Sequence, residues 1–572
     1  MPKFPLMKKW LFLLASLLLF SCARVGSPVG GSKDTLAPRF LGSNIDSARV
    51  NISTDLRELR LYFDEYVTLK EVSRNLIISP PIKKMKRILP SNLGNKYVML
   101  QWEDALQPNT TYNFNFGNAI SDLNEGNILP YFTYAFSTGD KLDELYISGV
   151  ITDALQPVNR DAPADTSGKN TYVIGLYKDS DSLNYQEKPY YITKADPDGY
   201  FELNYLSPGR YRLLAFKDEN QNSAFDAGKE AVSFRKEAID LTENISGMQL
   251  SVYPSRNRLR FVEGKEMPGG LMLVFEGKPQ TVDITPQAEK LTDYKVGHNP
   301  KSDTVNIWFD ARKLGIGQTQ NENLKFTYKA DTLQGTASVF YRMNAKDELA
   351  LSGTGDNLLA PNRDFTINSN YPVKEIASGK WTLKQDSINI NFSAEISQSD
   401  PQKIFVKAAY QQGKKYQLNV PSGTVQSYYA ANTKAHQFNF EGDKAENYGS
   451  LTLNLANAPA SKFWAELLDE QDKVRYSQYS EAKQIKFTEI KPGKYHVRIL
   501  VDNNSNGVWD ETDFAAQTFA EEAFLFEKEM EIRPLWENVE NWDLRPAAVL
   551  PAPAAVPTST APQPKPKPTA DR

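Results

Sequence analysis

Apolar residues in this chain recur at every second position in short runs, and clusters of Gly, Pro, Asn and Asp cut the runs apart. The pattern is plain in "ELRLYFDEYV" at 58–67, "TYNFNFGNAI" at 111–120 and "SININF" at 387–392. Successive side chains of a strand point to opposite faces, so this period gives each run one apolar face and predicts half-buried β-strands. No segment sustains the 3.6-residue apolar period that an amphipathic helix needs. The fold class expected is therefore all-β. A length of 572 residues allows roughly four domains, each able to bury its own core. The 66 Lys and Arg nearly balance the 70 Asp and Glu, so the clustered positive excess that holds phosphates is missing and no nucleic-acid partner is expected. A mean hydropathy of −0.50 excludes a bundle of membrane-spanning helices.

One match recurs at long range. "LSPGRYRLLAFKDENQNSAFD" at 206–226 aligns without a gap to "IKPGKYHVRILVDNNSNGVWD" at 490–510, an offset of 284 residues. Pro208, Gly209, Tyr211, Asp218, Asn220, Asn222 and Asp226 meet Pro492, Gly493, Tyr495, Asp502, Asn504, Asn506 and Asp510. Alternating apolar residues lead into each copy, Phe201 and Leu203 in one, Ile485 and Phe487 in the other. A period this long indicates a duplicated domain type and not a solenoid.

The two ends differ from the rest. Residues 1–22 read as a secretory signal, with Lys8 and Lys9 ahead of "WLFLLASLLLF", a run too short to span a bilayer as helix. The run ends at the only Cys of the chain, and Leu19-Phe20-Ser21-Cys22 resembles the lipobox of bacterial lipoproteins. That resemblance implies a diacylglycerol on the Cys22 sulfur and a further acyl chain such as palmitate on its freed amine, a combination that anchors durably. The mature chain then has no free thiol and no disulfide. Ala23, where an acidic residue is absent, favours the cell outer membrane over the inner one. Residues 23–34 form a Gly/Ser-rich flexible tether, and the Pro- and Ala-rich residues 546–572, unable to bury a core, are expected to be a disordered tail.

Two module types resemble known ones. Residues 35–140 resemble the bacterial Ig-like domain of surface-layer proteins, on the strand "LYFDEYV", the stretch "LQPNTTYNFNF" at 106–116, "ISDLNEGN" at 120–127 and "YAFSTGD" at 134–140. Residues 141–256 resemble the prealbumin-like or carboxypeptidase-regulatory-like fold, shared with B-type repeats of adhesins, on "ISGVITDALQPV" at 147–158 and "ADPDGYFELNYLSPGRY" at 195–211. With the lipobox, this order is similar to a family of Ig-like outer-membrane lipoproteins of Bacteroidota, which implies tandem Ig-like and prealbumin-like β-sandwiches and names no activity. Residues 346–445 are then expected to be a second Ig-like sandwich and 446–545 a second prealbumin-like one, with a β domain of unknown type at 257–345.

Catalytic constellations are missing from the pattern. His298, His436 and His496 stand far apart in sequence, and no HExxH, GxSxG, Walker or dinucleotide motif occurs. A carboxylate pair such as Asp64–Glu65 could in principle serve a glycosidase, but adjacent residues of a strand face opposite ways. No enzyme is expected and no cofactor is required. The repeated loop alone has metal logic. In "DNNSNGVWDETD" Asp502, Asn504, Asn506, the Val508 carbonyl, Asp510 and Asp513 take the oxygen positions of a calcium loop, with Gly507 at its sharp turn. The weaker copy would use Asp218, Asn220, Asn222, Asp226 and Glu230, with Ser223 in place of the Gly. Such a loop predicts weak Ca2+ binding, on the order of 10⁻⁴–10⁻³ M; the same residues also suit a polar hairpin turn. Asp34-Thr35-Leu36 looks like the three-residue O-glycosylation site of exported Bacteroidota proteins, which makes Thr35 the expected acceptor, ahead of similar triplets elsewhere.

Three functional readings follow. The first is a non-catalytic protein, lipid-anchored in the outer membrane through its N-terminus, that acts as a structural or protein-interaction module. The second is an accessory subunit of an outer-membrane assembly or secretion machine, with an outer-membrane protein as partner. The third is a surface glycan-binding protein, suggested by the 11% aromatic content. The tether lacks an acidic run resembling a surface-export signal, which tilts the location towards the periplasmic face while leaving both faces open.

Overall fold

The computed structural model describes residues 34–545 apart from 92, 157–170, 301, 344–347, 354 and 356. The signal segment with Cys22, most of the tether and the 546–572 tail therefore lie outside the described residues. Among the described residues helix is confined to two four-residue turns, Val72–Asn75 and Ala311–Leu314, and two single 3₁₀ turns; the rest is strand and loop. The all-β expectation holds, because period-two burial decides each strand. The chain divides into two compact units, one comprising residues up to 144 with 205–207 and the other the remainder.

The first unit is a sandwich. One sheet runs Phe40–Ser43, Glu58–Leu69, Asn95–Trp102, Met85–Leu89, with Ile120–Asp122 also on Glu58–Leu69. The other runs Ile77–Ser79, Thr111–Gly117, Phe132–Ser137. Leu59, Leu61 and Phe63 alternate inward, with Leu59 opposite Leu100 and Leu61 opposite Val98. They join Phe114, Phe116 and Phe136 in one core, where the Phe114 and Phe136 rings stack at 5.7 Å. The ladder slips between Tyr62 and Val67. There Asp64 turns to the incoming chain, its Oδ1 accepting from Arg39 N at 2.8 Å.

The second unit contains the duplicated module twice. In the first copy a five-stranded sheet runs Tyr191–Lys194, Tyr172–Lys178, Gly209–Lys217, Val232–Phe234, with Ile239–Leu241 also on Gly209–Lys217. The second copy repeats it as Val474–Ser480, Phe463–Leu468, Gly493–Val501, Ala523–Leu525, with Met530–Ile532 on Gly493–Val501. In both, the last strand pairs parallel with the first: Ile245–Val252 with Leu145–Asp153, and Glu537–Asp543 with Gly449–Ala456. Between the copies lie two more sandwiches. One packs the sheet Arg260–Met267, Gly270–Glu276, Thr304–Phe309, Tyr294–His298 on the sheet Val282–Pro286, Glu322–Ala330, Leu333–Tyr341, around Leu273, Phe275, Ile307 and Phe326. The other is built around Phe365, Ile367, Trp381, Leu418 and Phe440, and Trp308 of its predecessor joins that core.

Loops in this protein are shaped by single buried carboxylates, and the first unit shows how. Asp122, almost fully buried, accepts from Glu125 N at 2.7 Å and Gly126 N at 2.9 Å through Oδ1, and from Asn127 N at 2.8 Å through Oδ2. Burial pushes its carboxyl up, but the backbone N–H groups of Gly126, Asn127, Glu125 and Asn124 outweigh it and hold the group below the usual carboxylate range. A depressed folded value gives stability that is present above the unfolded value and lost as pH falls through the folded one. Asp122→Ala should cost about 3 kcal/mol, because the N–H donors lose a charged acceptor while staying buried. In calorimetric melts of the variant the acid-side loss of stability that the parent shows should be correspondingly smaller.

Candidate functional site

Strands Gly209–Lys217 and Gly493–Val501 both end at a fully buried Asp, Asp218 and Asp502. Asp502 accepts from Asn506 N at 3.1 Å through Oδ1, and from Gly507 N at 2.8 Å and the Tyr479 hydroxyl at 2.6 Å through Oδ2. Asp218 does the same to Asn222 N at 3.1 Å and Ser223 N at 3.0 Å. The side-chain oxygens of Asn504 and Asn506 accept from Asn506 N and Val508 N, and those of Asn220 and Asn222 from Asn222 N and Ala224 N. Their amide nitrogens then converge on Oδ2 of the fourth residue, Asp510 or Asp226. The tight turn puts Gly507 at φ 81° and Ser223 at φ 58°, so the Ser of the first copy adopts a left-handed conformation that costs Gly nothing.

The closing carboxylate differs from the sequence expectation in the second copy. In the first, Glu230 Oε1 accepts from Glu219 N and Oε2 from Asp226 N, at 3.2 and 2.9 Å. Burial and the charges of Asp218 and Asp226 push Glu230 up to about 7 against that backbone bond. In the second copy Glu521 takes this role, accepting from Asn503 N at 2.6 Å through Oε1 and from Asp510 N at 3.0 Å through Oε2. Asp513, expected as the last oxygen, instead caps its own turn: Oδ1 accepts from Ala516 N at 2.9 Å, and its backbone pairs with Thr518. The signal that would have found Glu521 is its place two residues ahead of strand Ala523–Leu525, the place Glu230 holds ahead of Val232–Phe234. Among the described residues no group of three or more His, Cys, Asp or Glu is arranged to hold a metal ion; the loop side chains satisfy one another and the backbone.

At the 284-residue offset, Phe514 stands where the first copy has Glu230. The excursion that displaces the Glu carries Phe514 onto the first copy of the module. Its ring lies edge-on to Tyr185 at 5.1 Å, Phe225 at 4.9 Å and Phe234 at 5.4 Å. Phe519 stacks on Phe234 at 4.7 Å, under the Lys236 ammonium at 5.0 Å. The backbone is tied as well: Arg256 N donates to the Thr512 carbonyl at 2.7 Å and Thr512 N to the Pro254 carbonyl at 3.0 Å. The two copies are thus joined by the loop expected to bind metal.

The remaining candidates are dispersed. Thr35 is exposed in a turn held by Leu36 N donating to Asp34 Oδ1 at 2.9 Å. His298, His436 and His496 sit on three separate strands. His436 stacks on Phe438, and burial lowers its pKa.

Residues 34–138 match the family of bacterial Ig-like domains, so this segment is an Ig-like domain. No curated protein matches the chain by sequence. Among solved structures, the major pilin subunit BcpA of Bacillus cereus aligns at 11% identity over 70% of this chain and 99% of its own, with a TM-score of 0.14. The S-layer protein rSbsC aligns at 10% identity over 70% of this chain and 66% of its own, with a TM-score of 0.16. The Bacillus anthracis TIE protein aligns at 10% identity over 94% of this chain and 79% of its own, with a TM-score of 0.12. Scores this low carry no weight for assembly or partners.

Phe514→Ala should leave every sandwich folded and free the contact between the two copies, at a cost of roughly 2–3 kcal/mol for a half-buried ring. Hydrogen exchange should quicken at the Thr512 and Arg256 amides and nowhere in the sheet cores.

Proposed function

We propose that this protein is a non-catalytic interaction module of the cell envelope, anchored in the outer membrane by acyl chains on Cys22. The observation that supports this most is the joining of β-sandwiches by Phe514 in the second unit, with the buried loop carboxylates engaged in shaping the turns. The Ig-like domain at 34–138 follows the N-terminal segment directly, which suits a membrane-proximal spacer. An outer-membrane protein is the partner this reading calls for, and a stoichiometric β-barrel co-purifying from detergent extracts would identify the protein as a subunit of an assembly or secretion machine. Cys22→Ser should move the protein from the membrane pellet to the soluble fraction. Retention of the variant in the pellet through a high-salt wash would sink the lipid anchor.

A second reading concerns the paired loops, which we propose as weak Ca2+ sites. It is favoured by the shared arrangement in which Asp502, Asn504, Asn506, Asp510 and Glu521 repeat Asp218, Asn220, Asn222, Asp226 and Glu230 partner for partner. A cation there would take the place of the Asn amide nitrogens that donate to Asp510 and Asp226. A ligand that binds only the folded state stabilises it by RT ln(1 + [L]/Kd), about 1.4 kcal/mol at ten times Kd. Millimolar calcium should therefore raise the melting temperature of chelator-treated protein, and Asp502→Ala should remove most of the rise. An unchanged melt up to about ten millimolar, roughly ten times the weakest Kd of extracellular calcium modules, would leave these loops as turns.

A further inference from the structure

The third sandwich of the second unit carries a groove that none of the features above uses. It has a volume of about 720 Å³ and is lined by residues from four strands of one five-stranded sheet and from the turn at its rim. That sheet runs Leu358–Leu359, His436–Gly442, Lys415–Val420, Thr382–Gln385, Ile388–Asn389. Period two buries Tyr416, Leu418 and Phe440 and leaves Lys415, Gln417 and Asn439 on the other face. The register then aligns two rows across the strands. Lys384, Gln417 and Asn439 face one another in the first, and Lys415, Glu441 and Leu358 in the second.

The chemistry of the rows is specific. Asn439 Oδ1 accepts from Gln417 Nε2 at 3.2 Å and from Gln437 Nε2 at 3.3 Å, which fills that oxygen and leaves the Asn439 amide N–H groups to donate and Gln417 Oε1 to accept. The lining carries Lys384 and Lys415 alongside Asp386 and Glu441, a mixture of signs instead of the single-sign field that draws a polyanion or a polycation. Asp386 is pinned at the rim by Lys414 Nζ at 2.8 Å and Lys415 N at 3.1 Å. It sits in a turn where Asp386 and Ser387 both take positive φ, 44° and 81°, which presents their side chains at the groove edge. Leu358 is 49% exposed and supplies an apolar contact at the opposite edge. Neighbouring strands lie about 4.8 Å apart, so successive amides in a row come at close to the spacing of successive pyranose rings.

We propose that this groove binds a neutral polysaccharide lying across the strands. Gln417 Oε1 and the Asn439 amide N–H groups bridge adjacent hydroxyls of the chain, one accepting and the other donating, which is the pattern a vicinal diol presents. Leu358 packs under a C–H face of one ring. Tyr416 and Phe440 lie beneath the groove but are buried in the core, so neither ring is offered as the platform on which a sugar would ordinarily rest.

The test is affinity electrophoresis of the whole protein through native gels cast with dextran, mannan, xylan or laminarin, and with alginate as an anionic comparison. Retardation by at least one neutral polymer is expected. The double variant Gln417→Ala/Asn439→Ala should weaken it roughly tenfold or more, the loss of two neutral hydrogen-bonding groups, with an unchanged melting temperature because both side chains are on the solvent face. Leu358→Ala should weaken it several-fold. Migration unaffected by all four neutral polymers, retardation by alginate alone, or retardation that survives the double variant would each overturn the proposal.

Discussion

The second unit depends on a carboxylate buried where a long strand stops. Asp502 has no exposed surface, so its charge has to be answered from inside, and backbone N–H groups of Asn506 and Gly507 with the Tyr479 hydroxyl answer it. That requirement fixes the loop's path more firmly than any apolar contact could. Once the path is fixed, the chain leaves Asp510 in one direction only, and Glu521 draws it back. The stretch between them projects and meets the first copy of the module. Asp218 imposes the same path in the first copy, but there Glu230 closes the loop at once and nothing projects. Asp122 in the first unit answers the same constraint in an unrelated loop.

A duplication has thus been made into an internal contact by a local insertion. The two copies share strand order, the buried Asp and the Asn pair, and they differ where Phe514 occupies the place of the closing Glu. Three aromatic rings and two backbone hydrogen bonds hold the result. Edge-to-face rings of this kind favour one orientation over others, which a flat apolar contact would not. The contact therefore sets an angle as well as a distance between the copies.

Much of this was legible beforehand, for physical reasons. Period-two alternation is a direct record of which face is buried, so Leu59, Leu61 and Phe63 could be read as core before any register was known. The gap-free repeat made the shared loop visible, because Asp, Asn and Asn at alternate positions are needed for the same hydrogen bonds in both copies. What the pattern could not carry was anything decided by distant pairing. Glu521 was missed because fixed spacing pointed to Asp513, and spacing fails across an insertion. The docking of Phe514 on Phe225 and Phe234 joins residues almost three hundred positions apart, which no local period records. The amide row of the groove depends on register between strands, and Gln417 and Asn439 alone read as ordinary solvent-facing polar residues.

The parallel pairing of first and last strands in each copy has a mechanical consequence. Glu537–Asp543 runs alongside Gly449–Ala456 in the same direction, from Ser450 opposite Glu537 to Ala456 opposite Asp543. A pull applied to the start of the first strand and the end of the last therefore drags the two past each other along their length. The ladder between them is loaded in shear, with its hydrogen bonds stressed together, whereas an antiparallel hairpin pulled at its open end yields one bond at a time. Ile245–Val252 against Leu145–Asp153 gives the first copy the same geometry. Each copy of the module resists traction between its two ends without a covalent crosslink.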